Sequence, residues 1–298
     1  MIDIGVVIVG FNSREYARRC LGSLAAAAWG GFSHRVVYVD NASVDGSVEM
    51  VRREFPEVQA IANGRNVGFS AACNQGAAAA AGSRYIYLLN NDTIAFPDSV
   101  RRLAEFLERT PSAGVAANRL LNPDLSDQWS ARRFPTWINA IFGRRSLVSR
   151  WFPQAGALNT YLYKDALAAG QPFAVDWVPG SCSLVRRAAY EQVGGVPEDM
   201  HYWSDAVFCD RIRKRGWEIY VVSEARLIHD EGHGTGGKTA EVRRWLIRDF
   251  HKGAYRFYCE HYELGAWNPA RWLAAMGLRA RAQLLIAADS LRERRLGA

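Results

Sequence analysis

Residues 85–93 read Tyr-Ile-Tyr-Leu-Leu-Asn-Asn-Asp-Thr, an apolar run followed by two asparagines and an aspartate. A short, continuous apolar run of this kind predicts a strand that is buried on both faces, as in a parallel sheet. Asp92 would then follow the carboxyl end of the strand. A carboxylate there suits Mg²⁺ or Mn²⁺, because these ions prefer oxygen ligands and keep several waters. The alternative is a turn whose Asn and Asp side chains cap the next helix.

Three similar units come before this one along the chain. Buried strands are predicted at Ile4–Val9, Val36–Val39 and Val58–Ile61, each followed by a helix. Repeated strand–helix units predict an α/β fold with a doubly wound, mostly parallel sheet flanked by helices. Ligands bind such sheets at the carboxyl ends of the strands. The polar residues expected at that edge are Asn12, Asp40, Asn66 and Asp92.

The second half of the chain is less regular. From Leu120 to Gln171, Trp, Phe, Pro and Arg interleave, which predicts a long irregular insertion. Regular elements are then expected, namely strands at Phe173–Val178, Cys182–Val185 and Ile219–Val222 and a helix at Ser204–Lys214. After the glycines of residues 232–237 the chain has helical periodicity. We therefore predict one domain with a helical C-terminal appendage.

Composition limits the classes of function. The formal net charge of +7 favours anionic partners such as nucleotide phosphates, nucleic acid or an acidic membrane surface. Nucleic acid is disfavoured, because the basic residues are dispersed and no recognised module is present. The five cysteines form no CxxC, which predicts free thiols in a reducing cytosol. No signal peptide and no apolar run of ~20 residues is seen, so we expect a cytoplasmic protein without a membrane span.

Five motifs, in order, resemble the signature of family 2 glycosyltransferases, and the bacterial rhamnosyltransferase-like members are the most similar. They are VIVGFNS at 7–13, VDNASVDGS at 39–47, NVGF at 66–69, NQG at 74–76 and LNND at 89–92. The similarity extends from residue 4 to about residue 233. The resemblance implies a GT-A domain over residues 1–235, with a nucleotide-sugar-binding half at 1–118, an acceptor half at 119–235, and a helical appendage at 236–298.

The resemblance also implies roles on the donor side. Asp40 would hydrogen-bond a pyrimidine base, and Phe11 and Asn12 would line the nucleotide pocket. The nucleotide-sugar site would also include Asn66, Gly68 and Asn91. Asp92 matches the last acidic position of the family's DXD-type element and would hold Mg²⁺ or Mn²⁺. Asn90 replaces the usual first Asp, which leaves one carboxylate in this element.

On the acceptor side, residues 175–181 resemble the family's strand and turn, and residues 202–211 its acidic helix start, usually EDxD. Ser204 and Val207 replace two of the acids, whereas Asp205 remains. By the resemblance, Asp205 would be the base that takes the acceptor proton in an inverting transfer. The alternative is that it caps its helix. The predicted acceptor-binding residues are Trp177, Gly180, Ser181 and Trp203.

His229 follows a predicted strand and matches a family histidine that approaches the metal or diphosphate; the alternative is a structural histidine. Residues 232–239 satisfy GxxxxGK[ST], the P-loop pattern. Too little chain follows Thr239 for the βα units of a P-loop domain. We therefore interpret this segment as an anion-binding loop in which Lys238 contacts the donor phosphates. A P-loop NTPase is the least favoured alternative.

The last segment, from Trp272, predicts a basic amphipathic helix. Its apolar residues recur at three- and four-residue steps, and we call them the apolar stripe: Leu273, Met276, Ala280, Leu284, Ala287 and Leu291. The stripe packs either on the catalytic domain or on a second subunit in a homodimer, or it attaches the protein to an anionic membrane at the inner face of the cytoplasmic membrane. Membrane attachment would suit a lipid-linked acceptor.

Together these features predict an inverting, metal-dependent glycosyltransferase of cell-surface polysaccharide synthesis. The expected donor is dTDP-rhamnose, with a UDP-hexose as the second choice, because Asp40 would recognise a pyrimidine without distinguishing thymine from uracil. The acceptor would be a glycan or a lipid-linked sugar. The departures at Asn90, Ser204 and Val207 leave open a catalytically weak nucleotide-sugar- or carbohydrate-binding protein on the same fold.

Overall fold

The computed structural model describes residues 2–136, 162–180, 182–230 and 239–296. The strands in this part of the chain are β1 Ile4–Gly10, β2 His34–Asp40, β3 Gln59–Ala62, β4 Tyr85–Asn90, β5 Thr93–Ala95, β6 Ala113–Leu121, β7 Phe173–Ala174, β8 Cys182–Arg186 and β9 Glu218–His229. The helices are α1 Arg14–Ala25, α2 Ser47–Glu54, α3 Phe69–Ala79, α4 Ser99–Arg109, α5 Lys164–Ala168, α6 Arg187–Gln192, α7 Ser204–Lys214, α8 Ala240–His261 and α9 Pro269–Leu296.

All the strands join one sheet, in the order β3-β2-β1-β4-β8-β6-β9-β5, with β7 paired to β9. The amino-terminal strands β1 to β4 are parallel, and the four predicted strand–helix units are confirmed. The carboxyl ends of β1, β2 and β4 therefore lie side by side. Asp40 ends β2, and Asp92 follows β4 by two residues.

The second half of the chain adds strands of mixed direction. β8 is antiparallel to both β4 and β6, whereas β6 and β9 are parallel. β6 was not predicted, because its sequence AGVAANRLL is rich in alanine and poor in β-branched residues. β9 extends from Glu218 to His229, well beyond the four residues predicted. The predicted boundary between the two halves, at residue 118, lies inside β6.

The strand predicted at Phe173–Val178 is wrong beyond Ala174. The chain leaves the sheet there because the Asp176 carboxylate accepts a hydrogen bond from the Phe134 backbone N–H at 2.8 Å and forms an ion pair with Arg213. Trp177 then pairs with Arg132 as an isolated bridge. Through these contacts the irregular insertion is joined to the segment that follows β7. Residues 137–161 of that insertion lie outside the described residues.

Two cores cover the faces of the sheet. Alternate β1 side chains point to opposite faces, so that Val7 packs with α3 and α7 and Val6 packs with α1 and α4. α3 lies very close to the sheet, since a β-carbon on Gly76 would clash with Val7 and Val39. The predicted free thiols are confirmed, because all five cysteines are unpaired and four of them are buried.

α8 and α9 form an antiparallel hairpin at the C-terminal end. Arg243 near the start of α8 bonds Asp289 near the end of α9, whereas Tyr255 further along α8 bonds Arg271. α8 packs on the domain at Gly253, which lies against Trp203. Within the described residues, no helix combines the length and apolar character that a membrane crossing requires.

The apolar stripe of α9 does not pack on the catalytic domain, so that alternative is wrong. All six of its residues are exposed, and Leu284 is 71% exposed. The face of α9 that meets α8 is instead formed by other residues, with Ala282 buried and with Arg271 and Asp289 bonded to α8. The structure therefore leaves the stripe available to a second subunit or to a membrane. The predicted domain boundary at residue 235 lies outside the described residues.

Candidate active site

Asp40 lies at the end of β2, where the chain turns toward α2. Its side chain is 1% exposed, and its Oδ2 accepts a hydrogen bond from the Ser43 backbone N–H at 2.7 Å. Its Oδ1 has no hydrogen-bond partner among the described residues. A buried carboxylate oxygen without a donor is unfavourable. Asp40 can therefore accept a hydrogen bond from the N–H of a ligand.

The loop after β1 is tied to the loop after β2. Asn12 has a left-handed backbone, with φ of 48°. Its N–H donates to the Ser43 hydroxyl at 2.8 Å, and its Oδ1 accepts from the Val44 N–H at 2.9 Å. These bonds fix the loop and leave the Phe11 side chain half-exposed beside it. The Asn12 side chain thus shapes the rim of the edge where Asp40 lies.

An amide network joins the end of β2 to the start of α3. Asn66 Oδ1 accepts from the Gly68 N–H at 2.9 Å, and Gly68, with φ of 89°, precedes α3. Asn41 Nδ2 donates to the Gly68 carbonyl at 3.3 Å. Asn63 Nδ2 in turn donates to Asn41 at 3.1 Å and to Gln75 at 2.9 Å. Sequence reasoning assigned no role to Asn41 or Gln75, although both lie in the quoted motifs.

Asp92 and His229 are in contact. β5 begins one residue after Asp92 and pairs with β9 so that Thr93 lies opposite His229. The Asp92 Oδ1 is consequently 3.3 Å from the His229 Nε2. The same Oδ1 is buried and has no hydrogen-bond partner among the described residues. The two side chains predicted to bind a metal therefore face each other.

Gln128, which sequence reasoning did not single out, orients His229. Its Nε2 donates to the His229 carbonyl at 3.2 Å, so its Oε1 is the atom that lies 2.8 Å from the His229 Nδ1. The network thus assigns the proton to Nδ1, and Nε2 carries the lone pair toward Asp92. Gln128 lies in the loop after β6, where no sequence motif marked it.

The pair fits a divalent cation such as Mg²⁺ or Mn²⁺. A buried carboxylate oxygen without a donor, next to an imidazole whose lone pair faces it, is a suitable set of two protein ligands. Such ions keep waters and bind substrate phosphates, so two ligands suffice. The described residues contain no group of three or more His, Cys, Asp or Glu side chains arranged for a metal.

Two asparagines flank the pair. Asn90 Nδ2 is 3.5 Å from the His229 Nε2. The Asn91 side chain donates to the Ser13 hydroxyl. Ser13 holds the N-cap position of α1, but its side chain makes no capping bond. Asn91 therefore connects the loop after β4 to the start of α1, at the edge of the sheet where Asp40 and Asp92 lie.

Asp205 lies in the first turn of α7. Trp203, with φ of 74°, is the N-cap, and the Asp205 Oδ1 accepts a hydrogen bond from the adjacent Ala206 N–H at 3.1 Å. Asp205 is therefore not the helix cap. Burial raises the pKa of the Asp205 carboxyl above its ordinary value, while the positive charge of Arg132 and nearby backbone N–H groups oppose the increase. A carboxylate with a raised pKa is a stronger base.

Gly180 connects Asp205 to the donor side. A β-carbon built on Gly180 would lie 3.7 Å from the Asp205 Cβ and 3.9 Å from the ring of Phe69, the first residue of α3. The acceptor-side turn, the start of α7 and the start of α3 therefore meet at this point. Ser181 and Lys238, both predicted site residues, lie outside the described residues.

The two tryptophans predicted to bind the acceptor pack against other residues of the protein. Trp177 is buried, its Nε1 donates to the Arg133 carbonyl at 3.0 Å, and Arg132 lies over its ring at 4.8 Å. Trp203 packs 5.4 Å from the rings of Phe250 and Phe257. Their direct contact with an acceptor stays a prediction. Arg132 is the functional candidate that the sequence did not identify here.

Comparisons with known proteins bear on this site. The model of Glycosyl transferase family 2 matches residues 5–194. The N-acetylglucosaminyl-diphospho-decaprenol L-rhamnosyltransferase of Mycobacterium tuberculosis is 30% identical to this chain over 302 residues, and the alignment covers 97% of this chain and 95% of the relative. The matched regions contain all five motifs and Asp205.

Two solved structures have a similar fold. The mannosyltransferase PcManGT of Pyrobaculum calidifontis, in complex with GDP-Man and Mn²⁺, has a TM-score of 0.56 at 17% identity. The match covers 98% of this chain and 79% of PcManGT. GalNAc-T7 with UDP, GalNAc and Mn²⁺ has a TM-score of 0.59 at 14% identity, and the match covers 95% of this chain and 55% of GalNAc-T7.

The family model spans more than half of the chain, and the mycobacterial relative is matched over nearly its whole length. The chain therefore belongs to glycosyl transferase family 2 and is a glycosyltransferase with the GT-A fold.

Proposed function

We propose that the enzyme moves rhamnose, or another hexose, from a dTDP- or UDP-linked donor onto a lipid-linked diphosphate-sugar, with inversion and with a divalent cation. The mycobacterial relative supports this sugar and this acceptor class, because its name specifies both. The reaction would contribute to a cell-surface polysaccharide. The observation that carries the proposal is the position of Asp205, where the acceptor-side turn meets the start of α3.

Asp205 is the general base in this proposal. Its carboxylate takes the proton of the acceptor hydroxyl as that oxygen attacks the anomeric carbon from the face opposite the leaving group. The bond from the anomeric carbon to the diphosphate oxygen breaks, and its electron pair leaves with the nucleoside diphosphate. Arg132 favours the ionised form of the partly buried carboxylate, because its charge opposes the effect of burial on the pKa.

The donor edge provides the other contacts. The buried Asp40 Oδ1 would accept the imide N–H that uracil and thymine share, and Phe11 would offer a ring face to the nucleotide. Asn66, Gly68 and Asn91 would shape the rest of the donor pocket, and Lys238 would contact the diphosphate. Asp92 and His229 would hold the cation, with Gln128 fixing the imidazole. A bound cation would supply positive charge to the leaving diphosphate.

The apolar stripe supports a peripheral membrane location on the cytoplasmic side. Its six residues are exposed on α9, and the chain as a whole has a net charge of +7. An exposed apolar helix face with basic residues near it binds anionic bilayer surfaces. A lipid-linked acceptor is presented at such a surface.

The first test is ligand binding measured by thermal shift, with dTDP, UDP, GDP and ATP, each with and without Mn²⁺. Binding to the native state raises the melting temperature by mass action. We expect a shift with dTDP or UDP that increases with Mn²⁺. A shift with ATP alone would contradict the proposal.

The second test is the stereochemistry of the product. Transfer from dTDP-rhamnose, or from a UDP-hexose, to an N-acetylglucosaminyl-diphospho-lipid should give an anomeric configuration opposite to that of the donor, as determined by NMR. EDTA should abolish transfer and Mn²⁺ should restore it. Retention of configuration would exclude Asp205 as a simple base.

A further inference from the structure

A cavity lies between α8 and α9. Its volume is about 530 Å³, within the range of roughly 300–1,000 Å³ that is usual for small-ligand sites. Four basic side chains line it: Arg248 and Lys252 from α8, and Arg271 and Arg279 from α9. No Asp or Glu side chain of the described residues is among the lining residues.

Charge is segregated along α9. The acidic residues described on α9, Asp289 and Glu293, lie at the other end, where they pair with Arg243 at 3.0 Å and with Arg244 at 3.2 Å respectively. Arg271 is held in the cavity wall by the Tyr255 hydroxyl, which accepts from its Nε at 2.9 Å. Because no described acidic side chain lines the cavity, its positive charge favours a ligand with more than one negative charge.

The rim of the cavity is apolar and open to solvent. Trp272 is 60% exposed and Met276 is 59% exposed, and both line the cavity. Met276 also belongs to the apolar stripe, so the rim continues along α9 through Leu273 and Leu284. The cavity thus combines four cationic side chains, of which Lys252 and Arg279 are exposed, with an apolar path that leads out of it. A ligand that satisfies both parts is an amphiphile with an anionic head.

We propose that this cavity binds the phosphate or diphosphate group of an anionic lipid, whose hydrocarbon chain follows the apolar stripe. The inference rests on the proposed function, because a diphosphate carried on a lipid is the proposed acceptor class. α8, which forms one side of the cavity, packs against the residues that precede α7. Lys252 is next to Gly253, which packs on Trp203, and Trp203 lies two residues before Asp205.

The test uses geranylgeranyl diphosphate as the lipid diphosphate, below its critical micelle concentration and with the full chain. Inorganic pyrophosphate tests the anion alone, geranylgeraniol tests the chain alone, and phosphatidylglycerol vesicles test an ordinary phospholipid. The cavity variant is Arg248→Gln with Arg279→Gln. The matched control is Arg52→Gln with Arg109→Gln, which removes the same charge from exposed sites on α2 and α4.

We expect the wild type to bind geranylgeranyl diphosphate at least ten-fold more tightly than pyrophosphate or geranylgeraniol. The cavity variant should lose at least ten-fold in that affinity, while the control stays within two-fold of the wild type. Stronger binding to phosphatidylglycerol vesicles than to the diphosphate would assign the head to a phospholipid, within the same proposal. Unchanged affinity in the cavity variant would overturn it. Arg279→Gln alone, at an exposed position, serves as the second variant, with a smaller loss.

Binding of dTDP and UDP to the same variants separates the two proposals. If the nucleotide binds and the lipid diphosphate does not, the cavity inference fails and the proposed function stands. If the lipid diphosphate depends on the cavity and neither nucleotide binds, the proposed donor chemistry fails instead. The melting temperature of each variant verifies that it is folded.

Discussion

The donor edge and the acceptor edge of this enzyme are built in different ways. At the donor edge, loops after neighbouring parallel strands bond directly to one another, as Asn12 does to Val44 and Asn41 to Gly68. At the acceptor edge, Arg132, Gly180 and Asp205 come from segments far apart in the chain. The first is specified by local motifs at the ends of strands, and the second by tertiary packing. Changes at the two edges should therefore affect different steps.

The largest effect is expected at the acceptor edge. Asp205→Asn should reduce kcat by about 10²–10⁴-fold, because the amide cannot accept the acceptor proton. Binding of the donor nucleotide should be unchanged, since the donor edge is intact. Single-turnover kinetics and nucleotide titration measure the two quantities. Asp124→Asn, in an exposed turn, is the control, and equal losses of kcat in both variants would contradict the assignment.

An intermediate effect is expected at the donor edge. Gln128→Leu should weaken Mn²⁺ binding by about 10–100-fold, because His229 loses the partner that fixes its tautomer and ring orientation. The affinity is measured from free Mn²⁺ by electron paramagnetic resonance, with dTDP present, and does not depend on turnover. Gln128→Glu keeps an oxygen that accepts from Nδ1 and should restore most of the affinity. Equal Mn²⁺ affinity in Gln128→Leu and the wild type would show that Gln128 has only a structural role.

The smallest effect is expected within the acceptor edge, in the pH dependence of the reaction. Asp205 must be ionised to act, so kcat/KM should fall as the pH falls through its raised pKa. Arg132→Gln removes a charge that lowers this pKa, and the acidic limb should therefore move to higher pH. Arg133→Gln, which removes the neighbouring charge, is the matched control. A limb that stays in place or moves to lower pH in Arg132→Gln would contradict the electrostatic role.

The sequence predicted the donor half well, because buried parallel strands are continuous apolar runs and their ends carry recognisable polar motifs. From the family pattern it assigned Asp92 and His229 to one metal site, and the structure places these two side chains 3.3 Å apart. It missed β6, whose alanine-rich sequence has no strand signal, and it missed Gln128 and Arg132, which gain their roles from partners distant in sequence. It identified the α9 stripe but not its exposure, since periodicity does not say which face meets α8.

Because β5 pairs with β9, the number of residues in β9 before His229 decides whether the His229 side chain faces Asp92. Side chains alternate between the faces of a strand, so one extra residue in β9 before His229 would turn the imidazole away from Asp92, whereas two would return it to that face. The pairing of β6 with β9 is interrupted between Val222 and Arg226. At this interruption β9 can gain residues without changing the pairing of His229 with Thr93. Related proteins can therefore differ in the length of β9 there and keep the site.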